Sequence, residues 1–124
     1  MEGCIILNKT LDKYLLIHKI NKRGDHYNFV KYKKGQLLDK IKEQTGIYNE
    51  LAFLPENFQK IKELSRYETS FTNYYFAKYN GELINNNTNW YSFSEAYDLV
   101  FFNRKNSLCE AHNIAKDYSY VFNS

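Results

Sequence analysis

Residues 3–8, Gly-Cys-Ile-Ile-Leu-Asn, form a near-continuous apolar run. A strand half-open to solvent alternates apolar and polar residues, so an unbroken run of this length marks a strand covered on both faces. A chain that begins this way needs packed layers on either side of a sheet. The polar turn Asn8-Lys9-Thr10-Leu11-Asp12 leads to a second run, Tyr14-Leu15-Leu16-Ile17-His18, and two such runs joined by a short turn read as a hairpin. The 124 residues are enough for one domain that buries about two-thirds of its unfolded surface. Twelve Tyr and nine Phe supply ample material for a β-rich core.

The stretch from Tyr27 to Ile47 reads as a short aromatic strand, a basic turn and an amphipathic helix whose apolar face is Leu37, Leu38 and Ile41. Gly46 stands where a left-handed residue would close that helix. Its ending, Asp39-Lys40-Ile41-Lys42-Glu43-Gln44-Thr45-Gly46-Ile47, resembles the second half of a Nudix box, in which Arg-Glu-apolar-x-Glu-Glu-x-Gly-apolar binds Mg²⁺ against a diphosphate. Positions 40, 43 and 44 share one helix face. Three carboxylates there make a hard oxygen site for Mg²⁺. This chain has Lys40, Glu43 and Gln44, so Glu43 is the one box acid left and it faces an ammonium. Phe29-Val30-Lys31-Tyr32 resembles a remnant of the family's Phe/Pro-Pro-Lys-Gly turn, and the segment from it to Asp39 is short by about seven residues, two helical turns.

The resemblance continues along the chain. His26-Tyr27-Asn28-Phe29 resembles the segment that precedes the box in diadenosine-tetraphosphate hydrolases, a Nudix subgroup. Thr69 to Tyr79 is the surest strand of the second half, rich in β-branched and aromatic residues. It is similar to the subgroup's Lys-Thr-Val-x-Tyr-Trp-Leu-Ala, which aligns Tyr74 with a tyrosine that stacks on adenine, provided the ring is exposed rather than packed in the sheet. Trp90-Tyr91-Ser92-Phe93-Ser94-Glu95-Ala96 resembles the family's Trp-Leu-x-x-Glu-Glu-Ala, a strand followed by a helix capped by Ser92 or Ser94. Between these, residues 50–67 read as strand, although the spacing Phe58, Ile61, Leu64 also suits a helix. Asn80-Gly81 reads as a hairpin turn and residues 85–89 as a flexible surface loop. Ala96, Leu99 and Val100, then Leu108, Ala111, His112 and Ala115, suit two helices on the sheet. His112 reads as a structural helix residue, and the aromatic tail 117–124 as a segment that docks on the domain or on a partner.

The resemblance implies an α/β fold, a Nudix-type α/β/α sandwich around a mixed β-sheet, in a single domain 1–124. It implies nucleotide contacts from His26, Tyr27, Lys31, Lys33, Lys40 and Tyr74.

Charge adds a second reading. The net charge is +3, but residues 1–62 carry 12 Lys and Arg against 7 Asp and Glu, and residues 63–124 carry 5 against 7. Lys19, Lys22, Arg23, Lys31, Lys33 and Lys34 cluster with Tyr27, Phe29 and Tyr32, a mixture that suits an RNA backbone with bases stacked beside it. It also suits a solvated Lys-rich loop.

Cys4 and Cys109 lie far apart with no paired ligand spacing, which points to reduced thiols and no zinc site. No apolar run approaches a membrane span, and a cytoplasmic protein is expected. Expected partners are an adenine nucleotide, a dinucleoside polyphosphate, or RNA in a ribonucleoprotein such as a ribosome, not DNA or a membrane. The expected function is a catalytically degenerate Nudix module that binds nucleotide or RNA without a cofactor. The alternative is a residual Mg²⁺-dependent hydrolase of diadenosine tetraphosphate or related polyphosphates, its metal held by Glu43 with Glu68 or Asp39.

Overall fold

In the computed structural model, which describes residues 1–55, 61–65 and 70–123 (for 120–123 the backbone only), β1 (Glu2–Leu7) is buried on both faces. Ile5 and Leu7 enter one core, Cys4 and Ile6 the other. The alternation continues in β2 (Lys13–Asn21), where Tyr14 and Leu16 face the first core and Leu15 and Ile17 the second. Period-two side-chain direction thus splits each apolar run between two layers.

β2 turns into β3 (Gly24–Asn28), and the chain passes through Phe29 into β4 (Val30–Tyr32). The β2–β3 turn is tight: Asn21 Oδ1 accepts from the Arg23 amide, and Gly24 takes φ 109°, so the two strands pair up to Asn21↔Gly24. A short crossing then leads to α1 (Leu37–Thr45), closed as expected by Gly46 at φ 77° with its amide on the Lys42 carbonyl. Within the 50–67 region the described residues form two strands, β5 (Leu51–Phe53) and β6 (Ile61–Leu64). Phe58 lies outside the described residues. β7 (Phe71–Tyr79), β8 (Thr88–Ser92), α2 (Phe93–Leu99) and α3 (Phe102–Asn123) complete the order.

The sheet runs β3-β2-β1-β7-β5, with β4 on β1, β6 on β7 and β8 on β2. β1 and β7 are parallel and the remaining pairs antiparallel, so the sheet is mixed. Leu37 and Ile41 of α1 cover the second core; Ala96 of α2 with Leu108, Ala111 and Ala115 of α3 cover the first. The result is the expected α/β/α sandwich.

Two expectations are corrected. Asn80-Gly81 does not turn a hairpin, because β8 pairs with β2 from Lys13↔Ser92 to Ile17↔Thr88 and has no register with β7. The asparagine tract is built in rather than loose. Asn85 and Asn87 each point a side-chain amide at the Gln44 carbonyl (3.4 and 3.3 Å), the Asn87 carbonyl accepts from the His18 amide (2.7 Å), and Thr88 and Asn89 belong to β8. Ser92 caps α2 with a complete capping box: its Oγ accepts from the Glu95 amide, and the Glu95 carboxylate accepts from the Ser92 amide. Residues 117–123 continue α3, and Tyr118 packs against the first core.

Candidate functional site

α1 carries Lys40 and Glu43 one turn apart on its outer side, and they close on each other: Lys40 Nζ donates to Glu43 Oε2 at 2.8 Å. The ammonium also sits 4.1 Å from the centre of the Tyr32 ring. The hydrogen bond to Glu43 raises the Lys40 pKa, so the position is a fixed cation at any physiological pH. Gln44, the third box position, offers its carbonyl to Asn85 and Asn87.

The resemblance of this helix to a Nudix box implies Mg²⁺ at this face. Here the Glu43 carboxylate is bonded by an ammonium, and among the described residues no three His, Cys, Asp or Glu side chains converge. A divalent cation needs several oxygen donors and no competing cation, so these residues do not fit it. Asp39 stands in the first turn of α1 and is exposed; Glu68 lies outside the described residues.

On the opposite face of the sheet a second, denser cluster gathers. Glu63 of β6 is 5% exposed. Its carboxylate accepts from Ser107 Oγ at 2.9 Å and from the Tyr74 hydroxyl at 3.3 Å, with Arg104 Nε 3.9 Å away. Lys31 of β4 is half-buried nearby. Burial holds its pKa down, Arg104 adds to the depression and Glu63 opposes it. Two cations therefore share one carboxylate, and the cluster carries net positive charge at the edge of the first core. A cavity of about 660 Å³, walled by Glu63, Ser107, Leu64, Phe101 and Phe102, opens beside it.

Of the residues read from sequence, Lys31 and Tyr74 join this cluster and the rest are dispersed. Tyr74 is 1% exposed and packs edge-on against Phe29 at 5.7 Å, so it has no free face for a base and serves instead as a buried hydrogen-bond donor. Burial and the Glu63 carboxylate both raise its pKa. His26 bonds Asn21 Oδ1 at 3.0 Å and stacks on Phe101; Tyr27 stacks on His18 at 4.5 Å. The basic stretch divides in two. Lys19, Lys22 and Arg23 are exposed at the end of the β2–β3 hairpin, while Lys33 and Lys34 are exposed between β4 and α1, where Lys34 helps hold the Glu2 pKa down. His112 accepts a hydrogen bond from, or donates one to, the Tyr14 hydroxyl at 3.1 Å and stacks on Phe93 at 4.3 Å, a packing role as expected.

Sequence reading missed Glu63, Arg104 and Ser107. A signal was present: with Ile61-Lys62-Glu63-Leu64 read as strand, period two sends Glu63 inward with Ile61, and an inward carboxylate demands partners.

No protein-family model and no curated protein matches the chain. Solved structures do. A Caenorhabditis elegans Ap4A hydrolase, in a binary complex, superposes with a TM-score of 0.64 at 15% identity, over 97% of this chain and 96% of that one. A possible asymmetric diadenosine tetraphosphate hydrolase from Jonesia denitrificans gives 0.68 at 11% identity, over 92% of each chain. A Nudix-family hydrolase from Clostridium perfringens gives 0.59 at 14%, over 91% of this chain and 94% of that one. Likeness over nearly the whole of both chains at such low identity establishes the architecture and nothing finer: the chain has the fold of the Nudix hydrolases, among them Ap4A hydrolases.

Proposed function

We propose that this chain is a catalytically degenerate Nudix-fold module that binds phosphate-bearing ligands, nucleotide or RNA, without hydrolysing them through a metal on α1. The single observation that carries the reading is the 2.8 Å pair between Lys40 and Glu43, which puts a cation where the family's box has a carboxylate. The burial of Tyr74 weighs against base stacking at that ring and so favours contacts to phosphate. The exposed cations Lys19, Lys22 and Arg23, with Lys33 and Lys34, suit an RNA backbone, and a cytoplasmic ribonucleoprotein such as a ribosome is the setting that fits them.

Calorimetric titration with ATP and diadenosine tetraphosphate, with and without Mg²⁺, followed by product analysis, tests the catalytic half. The expected result is binding indifferent to Mg²⁺, or none, and no ATP released. Metal-dependent release of ATP that disappears in Glu43→Gln would establish the hydrolase instead. Titration with single-stranded RNA at increasing salt tests the other half. Three to five phosphate contacts give a log–log slope of about −2 to −3.5, at about −0.7 per contact. Affinity unchanged by salt would sink the RNA reading.

A further inference from the structure

Tyr74 is buried, but two other rings stand open where α3 begins. Phe102 is 85% exposed, the barest aromatic side chain among the described residues, and Phe101 beside it is 49% exposed. A helix start is best served by Ser, Thr, Asp or Asn, so two adjacent phenylalanines there gain the helix nothing and mark a contact. Phe101 is fixed in place: the His26 ring stacks on it at 5.5 Å, and the Arg104 guanidinium stands 5.9 Å from its centre. Phe102 projects with its ring bare. Both line the cavity of about 660 Å³ beside Glu63, together with Leu64, Asn103 and Asn106. That volume falls within the roughly 300–1,000 Å³ of small-molecule sites.

His26 ties these rings to the basic hairpin. It is the cross-strand partner of Lys19, so the two side chains leave the same side of the β2–β3 pair. Asp25, the one acid in these two strands, pairs with Ile20 and points to the other side, where it meets His18 at 3.3 Å. Lys22 and Arg23 are exposed at the turn just beyond Lys19. The cavity differs in charge. Glu63 and Glu110 on its wall are matched in number by Lys62 and Arg104, and Asp98 and Lys105, which bracket the rings in sequence, offset each other. A near-neutral recess walled by aromatic rings suits a base, and the cationic hairpin beside it suits phosphate.

We infer that Phe101 and Phe102 form a stacking platform for unpaired bases of single-stranded RNA, whose backbone runs onto Lys19, Lys22 and Arg23. A base lies on the bare Phe102 ring, with the cavity and its two asparagines at the base edge. The inference rests on the RNA reading above and gives it a place, the start of α3 with the β2–β3 hairpin. Stacking is tolerant of sequence because every base has a π-face, and it requires bases freed from a duplex. A mononucleotide can occupy the rings but does not span to the hairpin cations, so it binds more weakly than a strand.

Fluorescence anisotropy of the full chain with a labelled single-stranded RNA of about ten nucleotides, a length that single-strand modules cover, tests it. Phe102→Ala weakens binding about 5- to 150-fold, the contribution of one stacked base, and leaves the salt slope where it was. Phe102→Trp keeps the affinity, because another flat ring serves. Lys22→Ala with Arg23→Ala lowers the log–log salt slope by about 1.4. All three positions are exposed, so circular dichroism is expected to report an unchanged fold. With the same RNA annealed to its complement, Phe102→Ala makes no difference, and ATP alone binds more weakly than the single strand. Single-stranded RNA bound equally well by wild type and Phe102→Ala would overturn the platform while leaving the RNA reading standing, and would assign the rings to a protein contact. A wild type that binds no RNA would overturn both. ATP bound as tightly as the strand, or a Phe102→Ala loss equal on duplex and single strand, would also overturn the inference.

Discussion

Gly3 shows how little of a close contact is written in the chain near it. In β1 it pairs with Tyr74 of β7, and a Cβ at Gly3 would stand 2.5 Å from the Tyr74 ring. The ring folds over the bare backbone, which aims its hydroxyl at Glu63. That hydroxyl, Ser107 and Arg104 are what make the Glu63 carboxylate tolerable inside. Replacing it with leucine removes the acceptor of two buried hydroxyls and the counter-charge of Lys31 and Arg104. We expect Glu63→Leu to cost about 2–4 kcal/mol in urea unfolding. A loss below about 1 kcal/mol, the value of an ordinary surface site, would show that the carboxylate is solvated instead. His112 sets an acid limit. Burial, then Lys116, lowers its pKa below the usual 6.5, so the folded protein prefers the neutral ring and the unfolded chain binds the proton first. Its contribution to stability is present above 6.5 and is lost as pH falls from there toward the depressed folded value, as the buried ring takes on charge. Urea midpoints measured between pH 7 and 5 should decline for the wild type and flatten for His112→Phe; parallel curves would assign the decline to other groups.

Among the elements, those with local signals were legible and those defined by remote pairing were not. The αL glycine at 46 and the Ser92 capping box are short-range chemistry, and both stand where the sequence puts them. α2 spans only seven residues, too few to persist without its cap and its contact through Ala96. Ser92→Ala should therefore lower stability by about 0.5–2 kcal/mol in thermal or urea unfolding, and Ser94→Ala should not; equal effects would mean the cap is shared. Asn80-Gly81 misleads for the opposite reason. The dipeptide favours a hairpin, but the segment after it is claimed by β2, whose pairing with β8 buries Thr88 and packs Tyr91 on the first core and Trp90 on the second. The asparagines at 85 and 87 look like compositional filler until α1 is in place, because their acceptor, the Gln44 carbonyl, lies more than forty residues back.

For the molecule as a whole, the two-sided burial of residues 3–8 was enough to call for layers on both faces of a sheet, and the resemblance in order along the chain gave the Nudix arrangement. Lys40 and Glu43 were legible as neighbours on one helix face, and the structure adds that they close on each other. The Glu63 cluster was not, since it draws one residue each from β4, β6 and β7 and two from α3, five positions that no window of sequence holds together. The same long reach has a consequence in time. Each register pair between β1 and β7 joins residues 71 positions apart. Synthesised from its N-terminus at about 5–20 residues per second, the chain exposes Ile5, Ile6 and Leu7 for roughly 4–14 s before their parallel partner is made. A fragment ending at residue 70 never acquires that partner, and we expect it to aggregate or to stay bound to chaperones while the full chain does not, as pelleting of the two after matched translation would report. The strand that most firmly dictates the finished architecture is thus, for the first seconds of the protein's existence, its most adhesive segment.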